Sequence, residues 1–194
     1  MLLGCIAVRS RTVYGLTPAK AMCPESERLE ISFRNATRDD LTETRLINEA
    51  VVPAVNSLSV EELGWFLEHA PWFRVATNED RVLGMLIGFF EDSSYASENY
   101  RWFASNYARF AYVDRVAVHD DARRLGIATR LYEDFIDGMP PGVPLLTCEV
   151  NTRPANPGSL RFHERLGFEQ VGSQETGDGE KEVALLAKRL AAAT

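Results

Sequence analysis

Between residues 111 and 132 the spacing of apolar positions changes, and the rest of the chain is arranged around that change. Ala111–Val118 (AYVDRVAV) is rich in apolar and β-branched residues and reads as a strand. After the polar run HDDARRLG, Ala128, Leu131, Tyr132 and Phe135 recur at helical spacing. A helix therefore opens there, with Gly126 just inside its start.

The same reading orders the other elements. Residues 30–36 (EISFRNA) give a first strand, and Thr37-x-x-Asp40 resembles a capping box with Asp in place of Glu or Gln. The helix behind it carries Leu41, Leu46, Ile47 and Ala50 on its apolar face and ends before Pro53. A second helix follows the capping box Ser59-x-x-Glu62, with Leu63, Phe66, Leu67 and Ala70 at i, i+3, i+4 and i+7 and Pro71 as its stop. Residues 72–77 (WFRVAT) and 81–90 (RVLGMLIGFF) pair as strands about the turn 78–80. Gly84 and Gly88 inside the second of these fit either a bulge, a close approach by another backbone or ligand, or simple packing.

Residues 91–109 (EDSSYASENYRWFASNYAR) read as a long polar loop dense in aromatic rings. Long loops inside compact domains are uncommon and often functional. Past the central helix, GMPPG is a hard stop, and residues 143–150 (VPLLTCEV) form a buried strand whose one charged member is Glu149. Asn156-Pro157 supplies the cap and first-turn proline of a helix running to Leu166, with Gly167 just beyond it. Residues 168–172 and 182–190 close the chain as paired strands joined by SQETGDGEK. One domain, residues 30–190, accounts for these elements. Residues 1–29 are expected to lie outside it, with Met22 as the natural start, and residues 191–194 as a frayed tail.

Composition narrows the function classes. With 194 residues, 45% hydrophobic and 25% charged, the chain fits one soluble domain. A net charge of −7 argues against non-specific nucleic-acid binding, which needs a basic footprint. No apolar run is long enough to span a bilayer, and the run at residues 2–8 lacks a basic residue ahead of it, making a poor signal peptide. Three cysteines (Cys5, Cys23, Cys148) and three histidines (His69, His119, His163) show no metal-ligand spacing and no disulfide framework, so the expectation is a cytoplasmic protein without a metal.

The strand-to-helix turn is the first candidate for chemistry. A helix start presents free N–H groups and a positive dipole end. Arg123-x-x-Gly126-x-Ala128 adds small residues that let a bulky anion approach, together with two arginines. The same turn also fits a plain connection whose arginines are solvated.

The segments VAVHDDARRLGIATRLY and NPGSLRFHERLGF, in that order and one strand apart, are similar to those of the GNAT superfamily of N-acetyltransferases. The resemblance spans about residues 30–190. It implies an α/β (α+β) fold: a mixed, mostly antiparallel sheet flanked by about four helices and splayed between its fourth and fifth strands. It also implies acetyl-CoA as cosubstrate. The main chain of Val116, Ala117 and Val118 would pair with the pantetheine arm. Arg123 and the backbone of Arg124, Leu125, Gly126, Ile127, Ala128 and Thr129 would hold the pyrophosphate. Asn156 would contact the cosubstrate near its thiol, besides capping its helix.

For catalysis the resemblance implies a base for the amine and an acid for the departing thiolate. Glu149 matches the glutamate that serves as base in the ribosomal-protein N-terminal acetyltransferases, and an apolar strand should raise its pKa. Asp114, sharing a face with Tyr112 and Phe110, is the competing base; an ordered water served by both carboxylates is a third route. Where many relatives read Phe-Tyr, this chain reads Phe162-His163, so His163 becomes the candidate acid. Tyr95, Tyr100, Trp102, Tyr112 and Asn151 are assigned to the acceptor, alongside residues 53–57. The expected activity is direct acetyl transfer to a primary amine of a small molecule or peptide. A non-catalytic acyl-CoA sensor is the alternative, supported only by the altered tyrosine position. Dimers are frequent in the superfamily, which leaves a homodimer open without any residue arguing for one. A nucleotide enzyme is disfavoured, because G-x-x-x-x-G-K-[ST] and G-x-G-x-x-G are both missing.

Overall fold

Alternating or fully apolar strands need cover on one face or on both, and here both faces are covered. A computed structural model describes residues 30–191, apart from residues 80 and 178. The expectations for residues 1–29, Met22 included, and for residues 192–194 lie outside the described residues. Among those described, seven strands form one sheet: β1 (Ser32–Asn35), β2 (Trp72–Asn78), β3 (Arg81–Phe90), β4 (Ala111–Val118), β5 (Leu145–Arg153), β6 (Glu169–Thr176) and β7 (Lys181–Arg189). Their order is β1-β2-β3-β4-β5-β7-β6, antiparallel throughout except for the parallel pair β4 and β5. Five α-helices accompany it: α1 (Leu41–Glu49), α2 (Val60–His69), α3 (Glu98–Asn106), α4 (Ile127–Asp137) and α5 (Pro157–Arg165).

Two apolar layers sandwich the sheet. On one face Ile47, Leu63, Phe66 and Phe103 from α1, α2 and α3 pack over Val75, Met85, Phe89 and Tyr112. On the other, Leu131, Tyr132 and Phe135 of α4 pack over Leu86, Val113, Leu146 and Cys148. β3 is buried on both sides, which explains why RVLGMLIGFF is apolar without alternation. Its glycines answer to α4 and β4. A Cβ at Gly88 would lie 2.6 Å from Phe135 Cζ, and one at Gly84 would lie 3.1 Å from both the Ala117 carbonyl and Ile127.

Local signals act largely as read. The Ser59 box is reciprocal: the Glu62 amide donates to Ser59 Oγ at 3.1 Å and the Ser59 amide to Glu62 Oε2 at 2.8 Å. Asp40 accepts the Thr37 amide at 2.7 Å and opens a short 3-10 turn ahead of α1. Several expectations need correction. Leu46 is 60% exposed, and the buried face of α1 instead uses Thr44 and Asn48. Both polar side chains are satisfied internally, Thr44 by the Asp40 carbonyl and Asn48 by the Asn56 carbonyl.

Residues 91–109 are not one loop. Ser97 caps α3, which buries Tyr100 and Phe103 one turn apart where a loop was expected. The polar residues on its outer face concealed that spacing. β5 extends to Arg153 and β6 to Thr176, shortening the expected connections. Gly126 stands one residue ahead of α4, as its cap, in the left-handed region at φ +75°.

Candidate active site

The parallel pairing of β4 with β5 is short. It joins Ala111 to Leu146, Tyr112 to Thr147 and Val113 to Cys148, and then stops. The next residue, Asp114, is an extra one in β4, because Val113 lies opposite Gly88 while Arg115 lies opposite Ile87. Such a bulge bends its strand, and here β4 leaves β5 where the bulge begins. The gap deepens into a cavity of about 930 Å³ that is lined from both layers of the molecule.

On the α4–α5 side the cavity meets Val116, Ala117, Val118, Arg123, Ala128 and Asn156. This is most of the set assigned to a cosubstrate. Arg124, Leu125, Gly126, Ile127 and Thr129 complete the turn but contribute no wall to the cavity. The Ile127 side chain is core, while Leu125 is exposed. A Cβ on Gly126 would meet nothing within 4 Å, so the space before the helix start is open to an approaching group. The structure therefore fits a CoA-like ligand in two ways, an unpaired strand edge and an accessible helix start. Arg123 also pairs with Asp120 at 2.7 Å, and Asn156 caps α5 by accepting the Ser159 amide at 3.1 Å.

On the α1–α3 side, Tyr95, Asp114, Glu149 and Asn151 face the cavity together with residues 54–56. Asn151 donates to the Pro53 carbonyl at 3.1 Å and so fixes that loop. Tyr112 stands behind the wall, next to Glu149. Tyr100 and Trp102 are not brought to the cavity. The Tyr100 hydroxyl donates to the Phe90 carbonyl at 2.8 Å, and Trp102 packs against Gly172 and Phe103.

The two carboxylates differ sharply. The Tyr95 hydroxyl donates to Asp114 Oδ1 at 2.5 Å and Arg115 Nε to Oδ2 at 2.7 Å, so both oxygens are engaged. Burial, with Asp114 adding to it, pushes the Tyr95 hydroxyl far above its ordinary range. Glu149 Oε2, by contrast, is sealed from solvent with no hydrogen-bond partner, as is the Tyr112 hydroxyl. Burial first and Asp114 second push the Glu149 carboxyl up to about 8, against smaller opposing effects of Tyr112, Asn99 and Arg115.

His163 is 3% exposed and lies on the α5 wall. Its Nδ1 faces the Ser159 carbonyl at 2.8 Å and must donate; its Nε2 lies 2.8 Å from the Tyr132 hydroxyl and accepts from it. Burial lowers the pKa of the ring, so the neutral tautomer is favoured. Cys148 is buried at the same wall, its thiol pushed well up by burial and by Glu149, which suits a wall atom rather than a nucleophile.

Sequence reasoning passed over Tyr132, Arg115 and Asn48. Tyr132 was read as core, which it also is. The signal for Arg115 was the adjacent pair Asp114-Arg115 inside an apolar strand, a place where two neighbouring charges need a bulge to share one face.

The family model described as the acetyltransferase (GNAT) family matches residues 35–168. Solved structures give the same fold. The ribosomal-protein-S18-alanine N-acetyltransferase from Escherichia coli aligns at TM-score 0.62 and 18% identity, over 85% of this chain and 97% of that one. Ard1 from Thermoplasma volcanium aligns at 0.64 and 17%, over 83% and 98%. The ribosomal-protein-alanine N-acetyltransferase from Brucella melitensis aligns at 0.60 and 22%, over 82% and 99%. No curated protein matches the chain in sequence.

Proposed function

The chain belongs to the acetyltransferase (GNAT) family, whose members use acetyl-CoA, and from that premise we propose that it transfers acetyl directly to a primary amine of a small molecule or peptide. Pantetheine would pair with the free edge of β4 at Val116, Ala117 and Val118. The pyrophosphate would rest on the backbone between Arg124 and Thr129, beside Arg123. The thioester would then lie in the gap that begins at Asp114 and Glu149. Bringing two reactants together there supplies much of the rate.

Glu149 is the base in this reading. The observation that carries it is the contrast between the two carboxylates: both oxygens of Asp114 are bound within 2.7 Å, whereas Glu149 lines the cavity with only weaker approaches from Tyr112 and Asn99. Pushed up to about 8, Glu149 loses its proton more readily once a cationic ammonium sits beside it, because the opposite charge favours the carboxylate. With its own proton released to solvent, the carboxylate takes one from the ammonium, and the neutral amine so formed attacks the thioester carbonyl; the nitrogen sheds its second proton as the thiolate leaves. The proton for the departing thiolate is assigned to the Tyr132 hydroxyl, which leaves its bond to His163 Nε2 to give it and is reprotonated by the second proton the attacking nitrogen sheds. His163 has no N–H left for the cavity, so its part is to hold that hydroxyl at the wall. Acidic groups at the acceptor side favour a cationic amine, with Tyr95 and Asn151 as its walls.

Among the described residues no helix is long and apolar enough to cross a membrane, and no cluster of His, Cys, Asp or Glu is arranged to hold a metal. A free, buried Cys148 suits a reducing compartment such as the cytoplasm. Calorimetry with CoA, followed by thiol release from acetyl-CoA against a panel of peptide α-amines, polyamines and small amines, tests the reading. Binding with turnover on at least one class is expected. Binding without turnover on any would return the chain to a sensor, and absence of CoA binding would overturn both.

A further inference from the structure

Asp114 and Arg115 are consecutive in β4, and in a regular strand their side chains would leave on opposite faces. The bulge at Asp114 puts them side by side: Arg115 Nε donates to Asp114 Oδ2 at 2.7 Å, with the two side chains only 7% and 6% exposed. Arg115 is then held from a second element. Its Nη1 donates to Asn48 Oδ1 of α1 at 2.9 Å, and its guanidinium lies 5.1 Å from the centre of the Phe66 ring. Asn48 in turn donates through Nδ2 to the Asn56 carbonyl at 2.9 Å, and Asn56 Oδ1 receives Lys181 Nζ. One line of polar contacts thus runs from Asp114 to the lip of the acceptor mouth. A buried guanidinium with two fixed partners is rigid, and its loss leaves a buried carboxylate uncompensated.

We propose that Arg115 is a positioning residue: anchored through Asn48, it keeps Asp114 fixed as the charged neighbour of Glu149, so that only Glu149 is left to exchange the acceptor's proton. This rests on Glu149 being the base. The charged and titratable groups facing Glu149 are Asp114, Arg115 and Tyr112 of β4, Tyr95 from the segment before α3, Tyr132 of α4, and Cys148 beside it on β5. Of these, Asp114 and Arg115 act on Glu149 in opposite senses, Asp114 raising its pKa and Arg115 lowering it by less.

The test follows the Glu149 carboxyl by NMR in the whole protein labelled with ¹³C-glutamate, without acetyl-CoA or acceptor; Glu149→Gln assigns the resonance. Asp114→Asn should move its titration to lower pH. Arg115→Gln should move it to higher pH or make it biphasic, as two unscreened carboxyls share one proton. Arg115→Lys, which keeps the charge, should stay near wild type in titration while weakening turnover. If Arg115→Gln does not fold, the Asp114→Asn shift and the Arg115→Lys titration carry the test. A Glu149 titration unmoved by Asp114→Asn, unmoved by a folded Arg115→Gln, or shifted as far by Arg115→Lys as by Asp114→Asn overturns the proposal. The base assignment fails separately, if Glu149→Gln keeps the wild-type rate with an active amine.

Discussion

A carboxyl in a buried strand has little water to stabilise its charge, and a second carboxylate beside it makes the charge costlier still; Glu149 is pushed up to about 8 by both. A base works in its ionised form, so kcat/KM should rise with pH and level off above about 8. Glu149→Gln should remove that limb and lower kcat by about 10²- to 10⁴-fold, the usual range for general-base loss. The same shift has a stability consequence of fixed sign. The folded-state pKa lies above the ordinary 4.5, so stability falls as pH rises from about 4.5 to about 8. Glu149→Gln should therefore raise the melting temperature more at pH 8 than at pH 5, as calorimetry would show. On the opposite wall, Tyr132→Phe and His163→Phe should lower kcat by similar factors, because they remove two ends of one hydrogen bond. A maximal rate unchanged across pH in His163→Phe would end the acid role.

At the level of elements, α4 is fixed by how closely β3 lets it approach. Phe135 lies where the side chain of residue 88 would be, so Gly88 is required for the packing of α4 on the sheet. Gly88→Ala should destabilise the protein by about 1–3 kcal/mol, as overpacked cores do. Adding Phe135→Leu should recover part of that loss, and denaturant unfolding of the two single variants and the double variant measures the coupling. The sequence was most legible where a local rule suffices. Ser59-x-x-Glu62 and Asn156-Pro157 start their helices as read, since a cap is decided within four residues. It was least legible in residues 91–109, where α3 buries only Tyr100 and Phe103 and the polar surface outweighs them. The bulge at Asp114 was hidden because it depends on register against β3, which spacing along one strand does not contain.

Across the whole molecule, the site exists because two layers built by different helices fail to close over the same stretch of sheet. Motifs made the half proposed for the cosubstrate visible: the turn from Arg123 to Ala128 and the start of α5 lie on one side of the gap. The half proposed for the acceptor draws on residues 54–56, Tyr95, Asn151 and Lys181, which are far apart in sequence and meet only on folding. That asymmetry can be measured. Past Val113, β4 keeps its bonds to β3 but has none to β5, so the amides of residues 114–118 that point into the gap should exchange rapidly with solvent. CoA pairing with that edge should slow those amides and leave the β3-facing ones nearly unchanged. At a concentration of about 100 Kd it should also add about 2.7 kcal/mol of stability. For a domain of this size that corresponds to about 5–10 °C in melting temperature. Hydrogen exchange with and without CoA resolves the two sets of amides. Slowing confined to the helix start at Gly126, with residues 114–118 unaffected, would mean that the pyrophosphate is held while the pantetheine takes another path, and the placement of the thioester beside Glu149 would fall with it.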